Sequence, residues 1–383
     1  DRPQELLELI ERSLKPKQKE KQEFGEVFTP MYLIFEMLDQ LDAHYKLSHV
    51  DKSIFSDPNL KWGDIVGSGM GNFSIAVYFK LMEGLEKKFP SFDERKKHIL
   101  ENMIYMAEKN RKNAYVCKKI FDINGKYNLN LFIGDALKLD PEMKWGVKKF
   151  DIILGNPPYN SGGIRSYTGS RLGEKNETIW PKFVSKSLGI LKQQGYLVLI
   201  HPLSWLKKSH SLHESLLKKH VIWLKLWDNA QSLSIIKGEI PISLYVLHNI
   251  VNTKFKTRII SEIKEKKLIT KSFEYLDPKY SIPLAYHSIF NKLLKFINKR
   301  NSHLEYKSKV VKSADKQKQR KLPNTYTVDD NWAVDTITIK SGIMVKKTNE
   351  QHPDAKQNKI IIANKRGFTG AFIDDGRLGL TGS

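Results

Sequence analysis

Residues 150–154 form a short aliphatic and aromatic run broken only by Asp151, and the run stops at Gly155-Asn156-Pro157-Pro158-Tyr159. A stretch of that length and composition predicts a buried strand. Two successive prolines lack the backbone N–H that a ladder requires, so Asn156 to Tyr159 must leave the sheet as a stiff loop. In an open α/β sheet, ligands bind at the carboxyl ends of the strands, where this loop lies.

The flanking sequence repeats the arrangement. Residues 60–66 predict a first strand, and Gly67-Ser68-Gly69-Met70-Gly71-Asn72-Phe73 opens a helix reaching about Lys88. Glycines between a strand and a helix let the backbone approach a ligand at the helix amino end. Residues 103–107 predict a second strand ending at Glu108, followed by a helix over 109–121. A third strand, 129–133, ends in Gly134-Asp135-Ala136 before the fourth delivers Asn156. A helix over 180–191, a fifth strand over 195–200, and two antiparallel strands over 221–227 and 242–248 complete the pattern. Upstream, Thr29 is a good N-cap and Pro30 a good first residue for a helix carrying Leu33, Ile34, Met37, Leu38 and Leu41. The sum is an α/β fold, a Rossmann-like sheet with helices on both faces.

The corner at residues 156–159 suits one kind of chemistry. An exocyclic aromatic amine such as N6 of adenine is a poor nucleophile because its lone pair is delocalised into the ring. The amide oxygen of Asn156 and the carbonyl of Pro157, held by Pro158, can accept both of its N–H groups and draw the nitrogen toward tetrahedral geometry. Preorganised acceptors and in-line orientation then make a general base unnecessary. Tyr159 supplies a flat face on which a base can stack.

Lys and Arg number 64 against 42 Asp and Glu, a net charge of +22 that favours a polyanionic partner, nucleic acid first and an anionic membrane surface second. No apolar run reaches the roughly 18 residues of a membrane span, and the amino terminus is polar, so a soluble intracellular protein is expected. The single cysteine, Cys117, excludes an internal disulfide and a cysteine-based zinc cluster, and its place on a helix predicts packing. The eleven histidines show no ligand spacing, so no metal site is expected. His201, at the end of the fifth strand, is expected to be structural, because the chemistry above needs no acid or base.

Residues 160–176 are rich in Gly, Ser and charge, which predicts either disorder or a lid that orders on substrate. The segment 87–100 is a charged helical insertion, and 261–271 and 288–299 are Lys-rich stretches of helical character. A basic run over 307–321 precedes short alternating strands such as 336–340 and 359–363, which predict a separate β-rich domain. The chain starts at Asp1 without methionine and stops at Ser383 just after what reads as a turn and the start of a strand, so part of a longer polypeptide is expected.

Asn156-Pro157-Pro158-Tyr159 after an apolar strand resembles the catalytic motif of S-adenosylmethionine-dependent amino-methyltransferases. Phe24-Gly25-Glu26-Val27-Phe28-Thr29-Pro30, placed ahead of the sheet, resembles the upstream segment of their gamma-class members. In the family the glycine loop runs Asp-Pro-x-x-Gly-x-Gly-x-Phe. Gly69, Gly71 and Phe73 match it, but the proline is absent, Ile65 stands where the acid belongs, and Asp64 comes one place early. The whole order resembles N6-adenine DNA methyltransferases of the restriction-modification type.

That resemblance implies a class I methyltransferase fold with a carboxyl-terminal α+β or β-rich target-recognition domain. It divides the chain into an amino-terminal helix (1–23), a catalytic domain (24–260), a helical connection (261–290) and the recognition domain (291–383). Asn156, Pro157, Pro158 and Tyr159 would be catalytic. S-adenosylmethionine would be held by Thr29, Asp64, Gly69, Gly71, Glu108, Asp135, Ala136, Asn156 and Pro158, with Thr29 on its methionine part, Glu108 on the ribose and Asp135 on the adenine amine. No metal is implied. Double-stranded DNA is the implied partner, with a restriction endonuclease, fused or separate, beside it. The family places an aromatic residue before the last strand to stack on the second face of the flipped base; residues 236–240 offer none, leaving Trp205 or Tyr167. RNA adenine and protein glutamine methyltransferases share the motif, and a catalytically inactive DNA-binding protein could keep the fold.

Overall fold

The computed structural model describes residues 29–50, 52–160, 177–236 and 240–299, and then short strands between 320 and 380. The expected amino-terminal helix, residues 24–28 of the upstream motif, the polar loop 161–176 and nearly all of the basic run lie outside the described residues. The chain divides into two compact units, Asp1–Phe296 and Ile297–Ser383.

The first unit is built on a nine-stranded sheet. Its strands are β1 (Trp62–Asp64), β2 (Ile104–Glu108), β3 (Asn130–Ile133), β4 (Phe150–Gly155), β5 (Leu191–Pro202), β6 (Lys219–Trp227), β7 (Ile242–Val251), β8 (Lys256–Ile263) and β9 (Leu268–Tyr275). They lie in the order β3-β2-β1-β4-β5-β7-β6-β8-β9. The first five are mutually parallel, and β7 runs antiparallel between β5 and β6. The principal helices are α1 (Met31–Ser48), α2 (Asn72–Gly84), α3 (Arg111–Phe121), α4 (Trp180–Ile190) and α5 (His287–Lys299).

Chain direction reverses between β1 and β4. The steps from β1 to β2 to β3 go one way across the sheet and the step from β4 to β5 goes the other. Right-handed crossovers therefore place α2 and α3 on one face and α4 on the opposite face. Such a sheet is covered on both sides, which is why Ile152, Ile153, Leu154 and residues 197–200 are consecutive apolar residues, all buried. This is the Rossmann-like arrangement, with helices on both faces, that the strand-helix alternation predicts.

α1 packs with α2 over β5 and β7. An ion pair reinforces its seat: Lys225 on β6, itself buried, lies 2.6 Å from Glu36 on α1 and 3.5 Å from Glu262 on β8. Removing one partner of such a pair leaves an uncompensated buried charge.

The structure corrects the reading of 261–271 as helical. Ser261 to Ile263 finish β8, and Leu268 begins β9, which pairs antiparallel with β8. The governing pattern has period two: Thr257, Ile259, Ser261 and Ile263 are buried, while Ile269, Lys271 and Phe273 are exposed between half-buried neighbours. Lysine content hid an edge hairpin: Lys264, Lys266 and Lys267 lie in the turn that joins the two strands, and Lys271 alone lies on the outer one. The segment 288–299 is helical, as α5.

In the second unit β10 (Arg320–Lys321), β11 (Trp332–Thr338), β12 (Gly342–Lys347) and β15 (Gly379–Leu380) form a sheet in the order β10-β12-β11-β15, and β13 (Asn358–Ile362) pairs antiparallel with β14 (Ala371–Asp375). Alternation in the sequence predicts this β-rich character. Among the described residues no helix is long and apolar enough to cross a membrane.

Candidate active site

The carboxyl ends of the central strands converge on the Asn156 corner. β4 ends at Gly155 with φ +145°, where an added Cβ would stand 2.4 Å from Cγ2 of Val66. Glycine alone fits that turn, both for the close approach and for the backbone angle.

Asn156 then donates from Nδ2 to Oγ1 of Thr29 at 3.3 Å. Thr29 is buried, and its carbonyl accepts from Nδ2 of Asn72, at the start of α2, at 3.1 Å. The expectation that Thr29 caps α1 is corrected here. The helix begins at Met31 with Pro30 in the cap position and no side-chain cap bond, because the Thr29 hydroxyl is turned toward Asn156 instead.

The glycine loop lies against the same corner. A Cβ on Gly67 would stand 3.4 Å from Cδ of Pro158. Gly67, Gly69 and Gly71 all have left-handed φ, at +114°, +57° and +91°. They differ in surroundings: a Cβ on Gly69 would meet nothing within 4 Å, whereas one on Gly71 would stand 2.9 Å from Sγ of Cys117. Gly69 thus faces open space and Gly71 lets α2 pack on α3. Cys117 is a packing residue, fully buried, with its thiol pKa pushed up by that burial.

Glu108, at the end of β2, reaches over to the loop. Oε2 accepts from the Gly69 N–H at 2.6 Å and Oε1 from the Asn110 N–H at 2.7 Å. Each carboxylate oxygen has a second lone pair, so a carboxylate held this way keeps capacity for further donors. The Gly134 N–H donates to the Glu108 carbonyl at 2.9 Å, tying the ends of β3 and β2. Asp135, half-buried, accepts from the Leu137 N–H at 3.0 Å and so caps the short turn that begins at Ala136.

Asp64 is committed elsewhere. It is buried, and Oδ2 accepts from Oγ of Ser74 at 2.8 Å and from the Ser74 N–H at 3.3 Å, tying β1 to α2. Burial raises its pKa to about 7 against those two bonds.

Tyr159 is 9% exposed in this structure. Burial pushes its phenol pKa up. His201 is structural, as expected. It is fully buried between the Pro202 carbonyl and the Tyr245 hydroxyl, each at 3.0 Å, and stacks on Trp180 at 4.4 Å. Burial lowers its pKa to about 3, so it is neutral at physiological pH.

Trp205 cannot be the second stacking ring, which corrects that expectation. It is fully buried, with Nε1 donating to Oγ of Ser243 at 2.8 Å, so both its ring and its one donor are used in the core. Tyr167 lies outside the described residues.

Two features escape sequence reasoning. Asn72 holds Thr29 in place, and the only sequence signal is a polar residue directly after the glycine loop. His44, His220 and His248 gather from three elements, at sequence separations that resemble no ligand motif.

Residues 67–233 match the sequence family of Eco57I restriction-modification methylases. A curated relative from Mycoplasma pneumoniae (strain ATCC 29342 / M129 / Subtype 1), described as an uncharacterized adenine-specific methylase, is 24% identical over 51% of this chain and 58% of its own length. The chain thus spans less than two thirds of that relative. Among solved structures, the ATP-dependent Type ISP restriction-modification enzyme LlaBIII bound to DNA superposes with a TM-score of 0.50 at 15% identity, covering 88% of this chain and 27% of that one. A modification subunit of a putative type I restriction enzyme from Vibrio vulnificus YJ016 gives 0.49 at 15% identity, covering 92% and 66%.

Proposed function

We propose that this chain, whose residues 67–233 match the Eco57I restriction-modification methylase family, methylates N6 of adenine at a defined sequence in double-stranded DNA. In this reading S-adenosylmethionine is the methyl donor, and the chain is the modification arm of a restriction-modification system, working beside a fused or separate endonuclease. The observation that carries the proposal is the meeting of Thr29, Asn156 and the glycine loop at one corner of the sheet, with Gly67 against Pro158.

The residues present fit the cofactor. The open space over Gly69 would receive it, Glu108 would accept from the ribose, and Asp135 with Ala136 would border the adenine. Thr29 and Pro158 would flank the methionine end. Gly71 and Asp64 support the loop from within, through the close approach to Cys117 and the bonds to Ser74. When bound, S-adenosylmethionine supplies a methyl group on positively charged sulfur.

The chain's own residues do the rest. The Thr29 hydroxyl takes the Asn156 Nδ2 hydrogen, which fixes the amide plane and tells which of its ends is the acceptor. The Asn156 amide oxygen and the Pro157 carbonyl accept the two N–H groups of the target amine, and Pro158 keeps that carbonyl from turning. An amine held this way develops positive charge as it gains the methyl group, and the two acceptors stabilise that charge without reorganising. Its proton becomes acidic only then and leaves to water. Neutral, core-bound His201 is not called on.

Tyr159 offers its ring face to the base once uncovered. Extrusion of the base costs a few kcal/mol, offset by stacking and by lysine contacts to phosphate.

The test is direct. Genomic DNA from cells expressing the full chain, sequenced for modified bases, is expected to carry N6-methyladenine at one short sequence motif. Methylation confined to RNA, or unmodified DNA despite soluble protein, would overturn the proposal.

A further inference from the structure

β6 and β7 are antiparallel neighbours, and His220 on β6 pairs directly with His248 on β7. Residues directly opposite across an antiparallel pair point to the same face. α1 runs over β5 and β7 on that face, and His44, near its carboxyl end, comes down on the pair. The His44 ring stands edge-on to both others, with centroids 5.4 Å from each. One nitrogen from each ring lies within 4.8 Å of the other two.

From this geometry we infer that His44, His220 and His248 form a binding site for a divalent transition-metal ion, Zn2+ foremost. Nε2 of His44 and Nδ1 of His248 are 3.4 Å apart. That is long for a hydrogen bond, whose usual length is about 2.9–3.0 Å. It is close to the ~3.3 Å edge of a tetrahedron of nitrogens about 2.05 Å from a zinc ion. The third ring, whose nitrogen lies within 4.8 Å of the other two, needs a shift of at most about 1.5 Å to complete the set, within the reach of a side-chain rotation.

The surroundings prepare the rings as ligands. Nε2 of His220 faces the Lys256 carbonyl at 3.3 Å, which favours the tautomer with its lone pair on Nδ1. His248 is held by a hydrogen bond to the Gln194 backbone and by stacking on Tyr196, with ring centroids 4.5 Å apart. Three imidazoles suit zinc, copper or nickel, and select against magnesium and calcium, which prefer oxygen. With no carboxylate or thiolate in the set, water takes the fourth position.

The site lies toward the amino ends of the parallel strands, away from the Asn156 corner. Tyr196 pairs with both Ile152 and His248, whereas Gly155 pairs with Leu199, roughly 10 Å further along β5. A metal here would take no part in the chemistry at that corner. It fastens the far end of α1 to β6 and β7, about 20 Å from the end that presents Thr29. This inference is independent of the methyl-transfer proposal.

The experiment uses tag-free full-length protein, stripped with a chelator and titrated with Zn2+ by calorimetry and with Co2+ by visible absorption. One equivalent is expected to bind with micromolar or tighter affinity, raise the melting temperature by several degrees and give the intense bands of four-coordinate Co2+. His44→Gln and His248→Gln should each weaken Zn2+ binding by about tenfold or more and abolish those bands. Stripped, both variants should melt near the stripped wild type. Absence of binding to the wild type at millimolar Zn2+, or unchanged affinity in both variants, would overturn the inference. If the variants do not fold, anomalous diffraction from zinc-soaked wild-type crystals decides: an ion among the three rings supports it, and an ion only elsewhere rejects it.

Discussion

Asn156→Ala is expected to lower the rate of methyl transfer to duplex DNA by about a thousandfold or more while leaving S-adenosylmethionine affinity within a few fold. The first effect follows because the amide is one of two acceptors for the target amine, and its loss leaves the nitrogen lone pair in the ring. The second follows because the groups placed around the open loop are Gly69 and Glu108, whose mutual bond does not involve Asn156. Thr29 loses a donor in the variant, but its backbone stays tied to Asn72. Single-turnover rates and calorimetric cofactor affinities measured on the same preparation separate the two. Activity near wild type would refute the polarisation argument, and loss of cofactor binding in parallel would make the cofactor-holding role that the resemblance implies for Asn156 the larger of its two.

Removal of residues 297–383 is expected to weaken duplex binding by about a hundredfold or more and to leave cofactor affinity unchanged. The cut follows the division between the two compact units. Everything proposed to touch the cofactor, and all nine strands of the large sheet, lies before it. The removed part carries 17 Lys and Arg against 9 Asp and Glu, so it accounts for a substantial share of the excess positive charge. Fluorescence anisotropy with a labelled duplex at fixed ionic strength reads the effect. Equal affinity in the truncated chain would place the DNA-binding surface in the first unit and leave the second without the recognition role given to it.

The central sheet was legible because its signals are local. An apolar run closed by glycine or an acid marks each parallel strand, and the order of those endings predicts which loops meet. Asn156, Glu108 and Asp135 could be placed at one edge of the sheet this way because each sits at or just past the end of a strand, and Gly69 because it lies in the loop between β1 and α2. Pairwise geometry was not legible. Thr29 looks like a helix cap in isolation, and only the folded chain shows its hydroxyl given to Asn156. Trp205 looks like a candidate stacking ring until Ser243, from a distant strand, takes its N–H.

The β8–β9 hairpin was misread for a different reason. Lysine is compatible with helix and with an edge strand alike, and the weak alternation there separates half-buried from exposed residues. The histidine cluster carries no local signal at all. It depends on the register that sets His220 opposite His248 and on the path of α1 above them, which only the folded chain supplies.

The central claim is that a proline-stiffened corner makes an amine reactive by accepting its hydrogens. It is tested most directly by a crystal structure of the protein with a non-reactive analogue of S-adenosylmethionine and duplex DNA containing the methylated sequence. The account predicts the extruded adenine with N6 within hydrogen-bond reach, about 3 Å, of both the Asn156 amide oxygen and the Pro157 carbonyl, and in line with the cofactor's sulfur. An adenine bound with N6 turned away from either acceptor, or held by an ionisable side chain acting as base, would contradict it.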